Sequence, residues 1–345
     1  MRSILESITN TSISPSQWGQ ASLPAALGGL GIPSAEKISS SAFLASLNAG
    51  ATLRADILGA STDHPSYETA ISHWKRMSGD APLPPEPRRQ RNWTYPVQRK
   101  SQADLLQGSS QSGVRRIKGC ASAGSGAWLR ALPSSPLGLH LDHFQLRIAT
   151  ALRLGSNVSQ PYQCKCGVMA DARGMHALSC GSSSSRHVRH SLLNGVVQRA
   201  LRAAHMPSIL EPAGLSRDDG KRPDGLTLVP WKRGRSLIWD ATCVHRLSAS
   251  YTAAARQEGA AVANIAEKRK TDKYTSLAGD YYFQPVAIET LGGIGKYTWA
   301  FTQDLGQSIS METQDKREAS FLRQRLNIAV QIGNAAVLAE SMRLT

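Results

Sequence analysis

The chain has 345 residues, of which 41% are apolar, so it is long enough for two or three packed domains and is not globally disordered. Forty Lys and Arg residues against 25 Asp and Glu give a net charge of +15. Such a charge favours a polyanionic partner, with nucleic acid as the first candidate and an anionic membrane surface as the second. No apolar run approaches the ~18–20 residues that a membrane span requires. We therefore expect an intracellular protein that does not cross a membrane.

Four segments are predicted in chain order. Residues 1–80 show helical apolar spacing. Residues 81–136 are poor in large apolar residues and rich in Pro, Ser, Gly and Arg, which predicts a basic linker with an extended stretch at 81–88. Residues 137–185 are predicted to hold a helix followed by a Cys/His segment. Residues 186–345 alternate between helical and strand patterns, which indicates a mixed α/β fold with helices around a central sheet. The basic run 87–91 is compatible with nuclear import, so we expect a nuclear location.

A cluster of Cys and His residues occupies positions 164–180. Three of the five cysteines fall within these 17 residues, beside one histidine. Thiolate and imidazole groups at short loop spacing are typical ligands of structural zinc. The predicted zinc ligands are Cys164, Cys166, His176 and Cys180. Only one residue separates the first two cysteines, so His187 or His190 remains an alternative for one of the four.

A predicted β-hairpin follows, and each of its strands carries one aspartate. Strand alternation on both sides of a Pro/Gly turn at 230–235 predicts antiparallel pairing that brings Asp224 toward Asp240. Two neighbouring carboxylates repel each other unless a cation lies between them, and Mg²⁺ prefers oxygen ligands. We therefore predict a Mg²⁺ site at this pair, with the carbonyl of Ala241 as a further oxygen ligand. Either Glu211 or Glu289 is a candidate to complete the site.

An Ala-rich helix, predicted over about 252–278, carries the next candidates. Thr242, two residues after Asp240, cannot supply a cation to steady the charge that develops during phosphodiester cleavage, so the helix is the expected source. Helical spacing places Glu267, Lys270 and Tyr274 on one face. Three other cations are expected to point outward or toward phosphates, namely Lys268, Arg269 and Lys273. An ordinary solvated charged helix is the alternative interpretation.

Basic residues near the strands are candidates for contacts to nucleic acid. They lie at the hairpin and at the start of the helix predicted after the cysteines, and an ordinary solvated turn is the alternative at the hairpin. These candidates are Arg222, Lys232, Arg233, Arg235, Arg186 and His187.

Together these motifs resemble the PD-(D/E)XK nuclease core, and more closely the restriction-like endonuclease domain at the C-terminus of some non-LTR retrotransposon polyproteins. In that family a CCHC zinc knuckle precedes an Arg/Lys-Pro-Asp strand, a strand that ends in Asp, and a helix with Lys-x-x-Lys-Tyr. The matching positions here are Cys164, Cys166, His176 and Cys180, then Arg222-Pro223-Asp224, Trp239-Asp240, and Lys270 to Lys273-Tyr274. Residues 20–32 resemble, more loosely, the region that follows a reverse transcriptase core.

The resemblance implies a Mg²⁺-dependent endonuclease that nicks target DNA and leaves a 3′-hydroxyl to prime reverse transcription. The implied catalytic residues are Asp224, Asp240, Lys270, Lys273 and Tyr274. The implied partners are target DNA and the RNA of the element. No polymerase motif is found in the sequence, because Asp218 and Asp219 have polar rather than apolar neighbours. A non-catalytic nucleic-acid-binding module and an inactive remnant of such an element remain as alternatives.

Overall fold

The computed structural model describes residues 1–59, 64–215, 222–257 and 259–342. Asp218 and Asp219 lie outside the described residues. The chain divides into two compact units: Ser14–Ser110 forms one, and Met1–Ile13 together with Gln111–Thr345 forms the other. Helices and strands occur together, which confirms the predicted mixed α/β class. Among the described residues, none of the helices combines the length and apolar character that a membrane crossing requires.

The unit at 14–110 is helical, as the sequence predicts for its first part. Its centre is a pair of tryptophans, Trp74 and Trp93, whose rings meet edge to face with centroids 5.0 Å apart. The buried indole N–H of Trp74 donates to the carbonyl of Trp93 over 2.8 Å, so this polar group is satisfied inside the core. The helices are α2 (Pro15–Ala21), α3 (Ala35–Ala49), α4 (Ala51–Leu58), α5 (Tyr67–Ser78) and α6 (Gln90–Gln107), and α1 (Arg2–Thr9) belongs to the other unit.

The structure contradicts the prediction that residues 81–136 form a linker, although the stretch 81–88 lies outside the helices and strands. Helix α6 and helix α7 (Gln111–Cys120) occupy much of this segment. Trp93 and Val97, one helical turn apart, are both buried in the core of the 14–110 unit. Ile117 and Cys120 are buried in the same way on α7. A few well-spaced apolar side chains are therefore enough to fold a segment whose average composition is polar.

The larger unit holds the cysteine cluster and the main sheet. The remaining helices are α8 (His143–Leu154), α9 (Met175–Ser179), α10 (Arg186–Ala203), α11 (Ala261–Lys273), α12 (Lys296–Thr313) and α13 (Glu318–Met342). The strands are β1 (Tyr162–Gln163), β2 (Met169–Ala170), β3 (Ser208–Leu210), β4 (Gly225–Lys232), β5 (Arg235–Val244) and β6 (Tyr282–Glu289).

The main sheet has the order β3-β4-β5-β6, with the first two pairings antiparallel and β5 parallel to β6. Helix α11 connects the two parallel strands, as such a crossover requires. Alternate side chains of β5, including Leu237 and Trp239, pack into the main core with α10, α12 and α13. The opposite face of β5 points toward α11 and carries Asp240.

The hairpin is tighter than predicted. Its turn is the two-residue pair Arg233-Gly234, whose φ angles of 51° and 73° suit the primed turn that joins twisted antiparallel strands. Residues 230–232, predicted as part of the turn, belong to β4. The Ala-rich helix is also shorter than the predicted 252–278, because short 3₁₀ turns occupy 249–256 and α11 begins at Ala261.

Candidate functional site

The four predicted ligands of the Cys/His cluster come together. One ligand atom from each of Cys164, Cys166, His176 and Cys180 lies within 4.8 Å of the others, so the group could hold a metal ion. The sulfurs of Cys164 and Cys180 are 3.8 Å apart, which matches the roughly 3.8 Å between two thiolates on one tetrahedral zinc with Zn–S bonds of about 2.3 Å. The sulfur of Cys166 lies 3.2 Å from Nε2 of His176.

Local turns explain this convergence. Strands β1 and β2 form a small hairpin in which the N–H of Cys164 donates to the carbonyl of Val168 over 2.9 Å. Gly167 takes a left-handed φ of 84° inside that turn, which suits a residue without a Cβ. The Asp171 carboxylate then accepts the backbone N–H of His176 over 2.9 Å and fixes the start of α9. The short spacing between the first two cysteines is therefore accommodated by one tight turn.

The two alternative histidine ligands lie elsewhere. The metal-capable cluster contains neither His187 nor His190. His187 lines a cavity at the start of α10, and Nε2 of His190 lies 2.9 Å from Oδ2 of Asp224.

The hairpin register brings the two aspartates side by side. Gly225 pairs with Trp239, and the N–H of Asp224 donates to the carbonyl of Trp239 over 2.8 Å. Both side chains have little exposure, 14% for Asp224 and 4% for Asp240. With His190 they form a second group whose ligand atoms lie within 4.8 Å of one another. Ala241, predicted to offer its carbonyl, contacts Asp224 through its N–H, which donates to Oδ2 over 2.6 Å.

Two donors hold Asp224 in its ionised form. Burial opposes ionisation, but the hydrogen bonds from His190 and Ala241 and the charge of His190 outweigh it, so the pKa of Asp224 lies below its ordinary value. The same hydrogen bond raises the pKa of His190. Oδ2 of Asp224 accepts both donors, and Oδ1 lies outside these two hydrogen bonds.

Both candidate lysines of α11 reach Asp240. Nζ of Lys270 lies 2.5 Å from Oδ1, and Nζ of Lys273 lies 3.6 Å from Oδ2. Lys273 was expected to point outward or toward phosphates, and it does not point outward, because residues three apart on a helix share a face. Lys268 does point outward and pairs with Asp272, and Arg269 contacts Tyr251.

The other members of the α11 face have structural roles. Tyr274 is fully buried, stacks on Phe283, and donates its hydroxyl to the carbonyl of Arg222 over 2.9 Å. It thereby fixes the chain two residues before Asp224. Glu267 is also buried and accepts two backbone N–H groups, from residues 297 and 298, at the start of α12.

Neither predicted additional glutamate joins the aspartates. The Glu211 side chain forms an ion pair with Arg222. Glu289 forms a fully buried ion pair with Arg246, with 3.1 Å between Nη1 and Oε1. On β6 it lies four residues beyond Pro285, the partner of Asp240, which corresponds to about 13 Å along a strand.

The structure separates the predicted basic residues into two sets. The turn with Lys232, Arg233 and Arg235 is at the opposite end of the hairpin from the aspartates, about 17 Å from Asp240 along β5. Lys232 pairs there with Asp304 over 2.5 Å, and Arg235 donates to a backbone carbonyl.

Two of the predicted basic residues lie near the end of the hairpin that carries the aspartates. Arg186 and His187 line a cavity of about 370 Å³, and His190 and Thr242 line it as well. These four residues place the cavity beside the aspartate pair. Arg222 is close to the pair in sequence, but its side chain is engaged by Glu211.

Sequence reasoning did not assign His190 to the aspartate pair, although a signal was present. His190, Asn194, Val197 and Leu201 lie at i, i+4, i+7 and i+11, which is one helical stripe. Val197 and Leu201 belong to the main core, and Asn194 accepts the indole N–H of Trp239 over 3.0 Å. Because His190 and Asn194 continue the buried stripe of Val197 and Leu201, the helical spacing predicts that their side chains point toward the sheet.

Comparison of the chain with protein-family models returned no match, and comparison with curated proteins returned no match either.

Proposed function

We propose that the protein is a metal-dependent DNA endonuclease whose reaction centre is the Asp224–Asp240 pair. The observation that carries this proposal is the convergence of two carboxylates from adjacent strands with Lys270, whose Nζ is 2.5 Å from Asp240. Paired acidic groups with a lysine on a mixed sheet suit phosphodiester hydrolysis, because the reaction needs both a divalent cation and a fixed positive charge. The sequence resemblance to restriction-like endonuclease domains supports the same conclusion.

The donor set fits Mg²⁺ or Mn²⁺. Asp224 and Asp240 would hold the ion through hard carboxylate oxygens, while His190 donates to Asp224. Each carboxylate oxygen has two acceptor positions, so the lysine contacts of Asp240 leave capacity for a cation. When bound, such an ion lowers the pKa of water and polarises a phosphodiester.

The side chains have separable roles in this proposal. Lys270 orients the attacking water or steadies the developing negative charge, and Lys273 supports Asp240 from the other carboxylate oxygen. His190 and the N–H of Ala241 fix the rotamer of Asp224. Tyr274, which the resemblance implies to be catalytic, acts here by positioning the chain before Asp224.

We further propose that the Cys/His cluster holds a structural Zn²⁺. Its donors are three sulfurs and one imidazole nitrogen, a complete tetrahedral set with no open position. The resemblance adds that the nick would supply a 3′-hydroxyl for reverse transcription by a retrotransposon polymerase, with target DNA and element RNA as partners in the nucleus.

The second candidate function is nucleic-acid binding without cleavage. The ion pair between Lys270 and Asp240 favours it, because it already neutralises a carboxylate that a catalytic metal would use. The net charge of +15 and the Cys/His cluster would suffice for binding.

A nicking assay separates the two functions. Purified protein is incubated with Mg²⁺ and supercoiled plasmid, and Asp224→Asn and Asp240→Asn are each compared with the wild type. We expect at least a roughly hundredfold loss of nicking in both variants. Asp272→Asn is the matched control, since Asp272 lies on the exposed side of α11 and pairs with Lys268. Nicking that persists undiminished in both variants contradicts the assigned centre, and salt-sensitive binding without any nicking supports the second candidate.

A further inference from the structure

The cavity beside the aspartates exists because β5 is longer than its antiparallel neighbour. Strand β4 begins at Gly225, opposite Trp239, so β5 continues for five residues past the start of β4. The first turns of α10 lie across this extension. The cavity of about 370 Å³ between them is lined by Arg186, His187, Arg189, His190, Thr242 and Cys243.

Two arginines that line the cavity, Arg186 and Arg189, have no carboxylate partner among the described residues. Arg189 is only 3% exposed, and its side chain donates to the neutral amide of Asn334 over 2.9 Å. Within the described ranges, Arg189 and Arg186 form no ion pair, and no acidic residue lines the cavity. A buried guanidinium remains charged at any physiological pH, and buried charges are normally paired. An anionic ligand would supply the missing partner.

The start of α10 itself does not supply this anion site. The carboxylate of Glu340 already accepts the N–H of Ser185 over 2.9 Å and the hydroxyl of Ser183 over 3.0 Å. A ligand in the cavity would therefore be bound by side chains rather than by the helix terminus. None of the described residues that line the cavity is Phe, Tyr or Trp, so they offer no aromatic ring on which a base would stack.

We propose that this cavity is a binding site for the phosphodiester backbone of nucleic acid, immediately next to the phosphate that the aspartate pair would cleave. The proposal rests on the proposed endonuclease function in one respect: that function identifies the neighbouring phosphate as the one that is cleaved. Arg189 and Arg186 are the phosphate-binding groups, and Thr242 and His190 connect the cavity to the reaction centre. Recognition is independent of base sequence, because backbone contacts position a strand without reading it.

Binding without cleavage tests this site separately. The full chain is titrated by fluorescence anisotropy, without added divalent metal, against duplex DNA, single-stranded DNA and RNA of one sequence. The salt concentration is varied from about 50 to 200 mM. Arg186→Ala is expected to weaken binding about tenfold and to reduce the slope of log K against log salt by about one. Arg189→Met, which keeps the length of the side chain, is expected to give the same change of slope.

The matched control is Arg202→Ala. Arg202 is exposed on the same helix, 16 residues further on and therefore about 24 Å from Arg186, and its substitution changes the net charge equally. Its salt slope is expected to stay within a few tenths of the wild-type slope. Thermal unfolding of each variant shows whether it is folded.

Each outcome decides one of the two proposals. A folded Arg186→Ala protein that binds all three nucleic acids with the wild-type slope overturns the backbone site, even if the wild type nicks plasmid. A wild type that binds none of the three also overturns it. If Arg186→Ala reduces the slope of log K against log salt and the wild type does not nick plasmid, the backbone site is supported and the endonuclease function is contradicted. The three nucleic acids show whether DNA or RNA supplies the backbone.

Discussion

The two groups of candidate ligands are assembled in opposite ways. The Cys/His cluster draws its four ligands from positions 164–180, and two local turns bring them together. The aspartate centre draws on His190, Asp224, Asp240 and Lys270, which come from a helix, two strands and a second helix. In the first group, sequence spacing indicates the cluster, although it leaves His187 or His190 open as an alternative for one ligand. In the second, strand register and helix packing decide which side chains meet.

This difference predicts how each group responds to substitution. A local cluster depends on its own ligands and turns, whereas an assembled centre depends on contacts that lie outside the set of reacting groups. Four substitutions test that distinction, beginning with the largest expected effect.

Cys180→Ser is expected to lose the metal of the Cys/His cluster and to lower the free energy of unfolding by about 4 kcal/mol. The physical reason is that one of four ligands is removed and that α9, which the cluster anchors, packs through Leu178 against Leu338 of α13. Metal analysis and chemical denaturation measure both effects. Cys243→Ser is the control, because Cys243 lies outside the cluster. A variant that retains one metal ion per chain would contradict the ligand assignment.

His245 makes the stability of the sheet dependent on pH. Burial, helped by the charge of Arg189 and opposed by Asp171, lowers the pKa of His245 from 6.5 to about 4. The unfolded chain therefore binds a proton between pH 6.5 and 4 that the folded chain does not, so stability falls as the pH is lowered through this window. The difference corresponds to about 3 kcal/mol.

The variant His245→Asn is expected to lack this contribution. Its free energy of unfolding, measured by urea denaturation at several pH values, should vary about 3 kcal/mol less between pH 6.5 and 4 than that of the wild type. If the free energies of unfolding of the two proteins changed equally with pH, His245 would titrate normally in the folded state.

Tyr274→Phe tests whether a distant contact holds the aspartate centre in place. Loss of the hydrogen bond to the carbonyl of Arg222 leaves that acceptor without this donor and is expected to cost about 1 kcal/mol of stability. Nicking should decline only modestly, and the metal content of the Cys/His cluster should be unchanged. A nicking loss of about a hundredfold or more at unchanged stability would instead assign Tyr274 to the reaction.

Lys268→Ala is expected to have the smallest effect. Lys268 is 78% exposed and forms an i, i+4 pair with Asp272, so its removal should change stability by less than about 0.5 kcal/mol and leave nicking unchanged. Lys270→Ala removes the same charge two residues away and should abolish nicking. Equal effects of the two substitutions would contradict the orientation of α11.

Much of the element order in the larger unit could be predicted from the sequence. Apolar periodicity predicts a helix over 186–205, a strand over 284–291 and two helices over about 297–309 and 314–341. Helix α10, strand β6 and helices α12 and α13 lie close to these positions. Residues 81–136 were wrongly predicted as a linker, since composition averages conceal the few buried positions of α6 and α7, such as Trp93 and Ile117. The start of α11 was also misplaced, because an Ala-rich segment has high helix propensity even where 3₁₀ turns form.

The sequence by itself determined the Cys/His cluster and the presence of two aspartates on paired strands, because short spacing and strand alternation are local properties. Only the tertiary structure decided which partners surround them. His190 reaches Asp224 because α10 packs on the sheet, Lys273 turns inward because α11 crosses beside β5, and Glu289 is withdrawn into an ion pair with Arg246. These outcomes depend on packing between residues 33 to 43 positions apart in the chain, which no local pattern encodes.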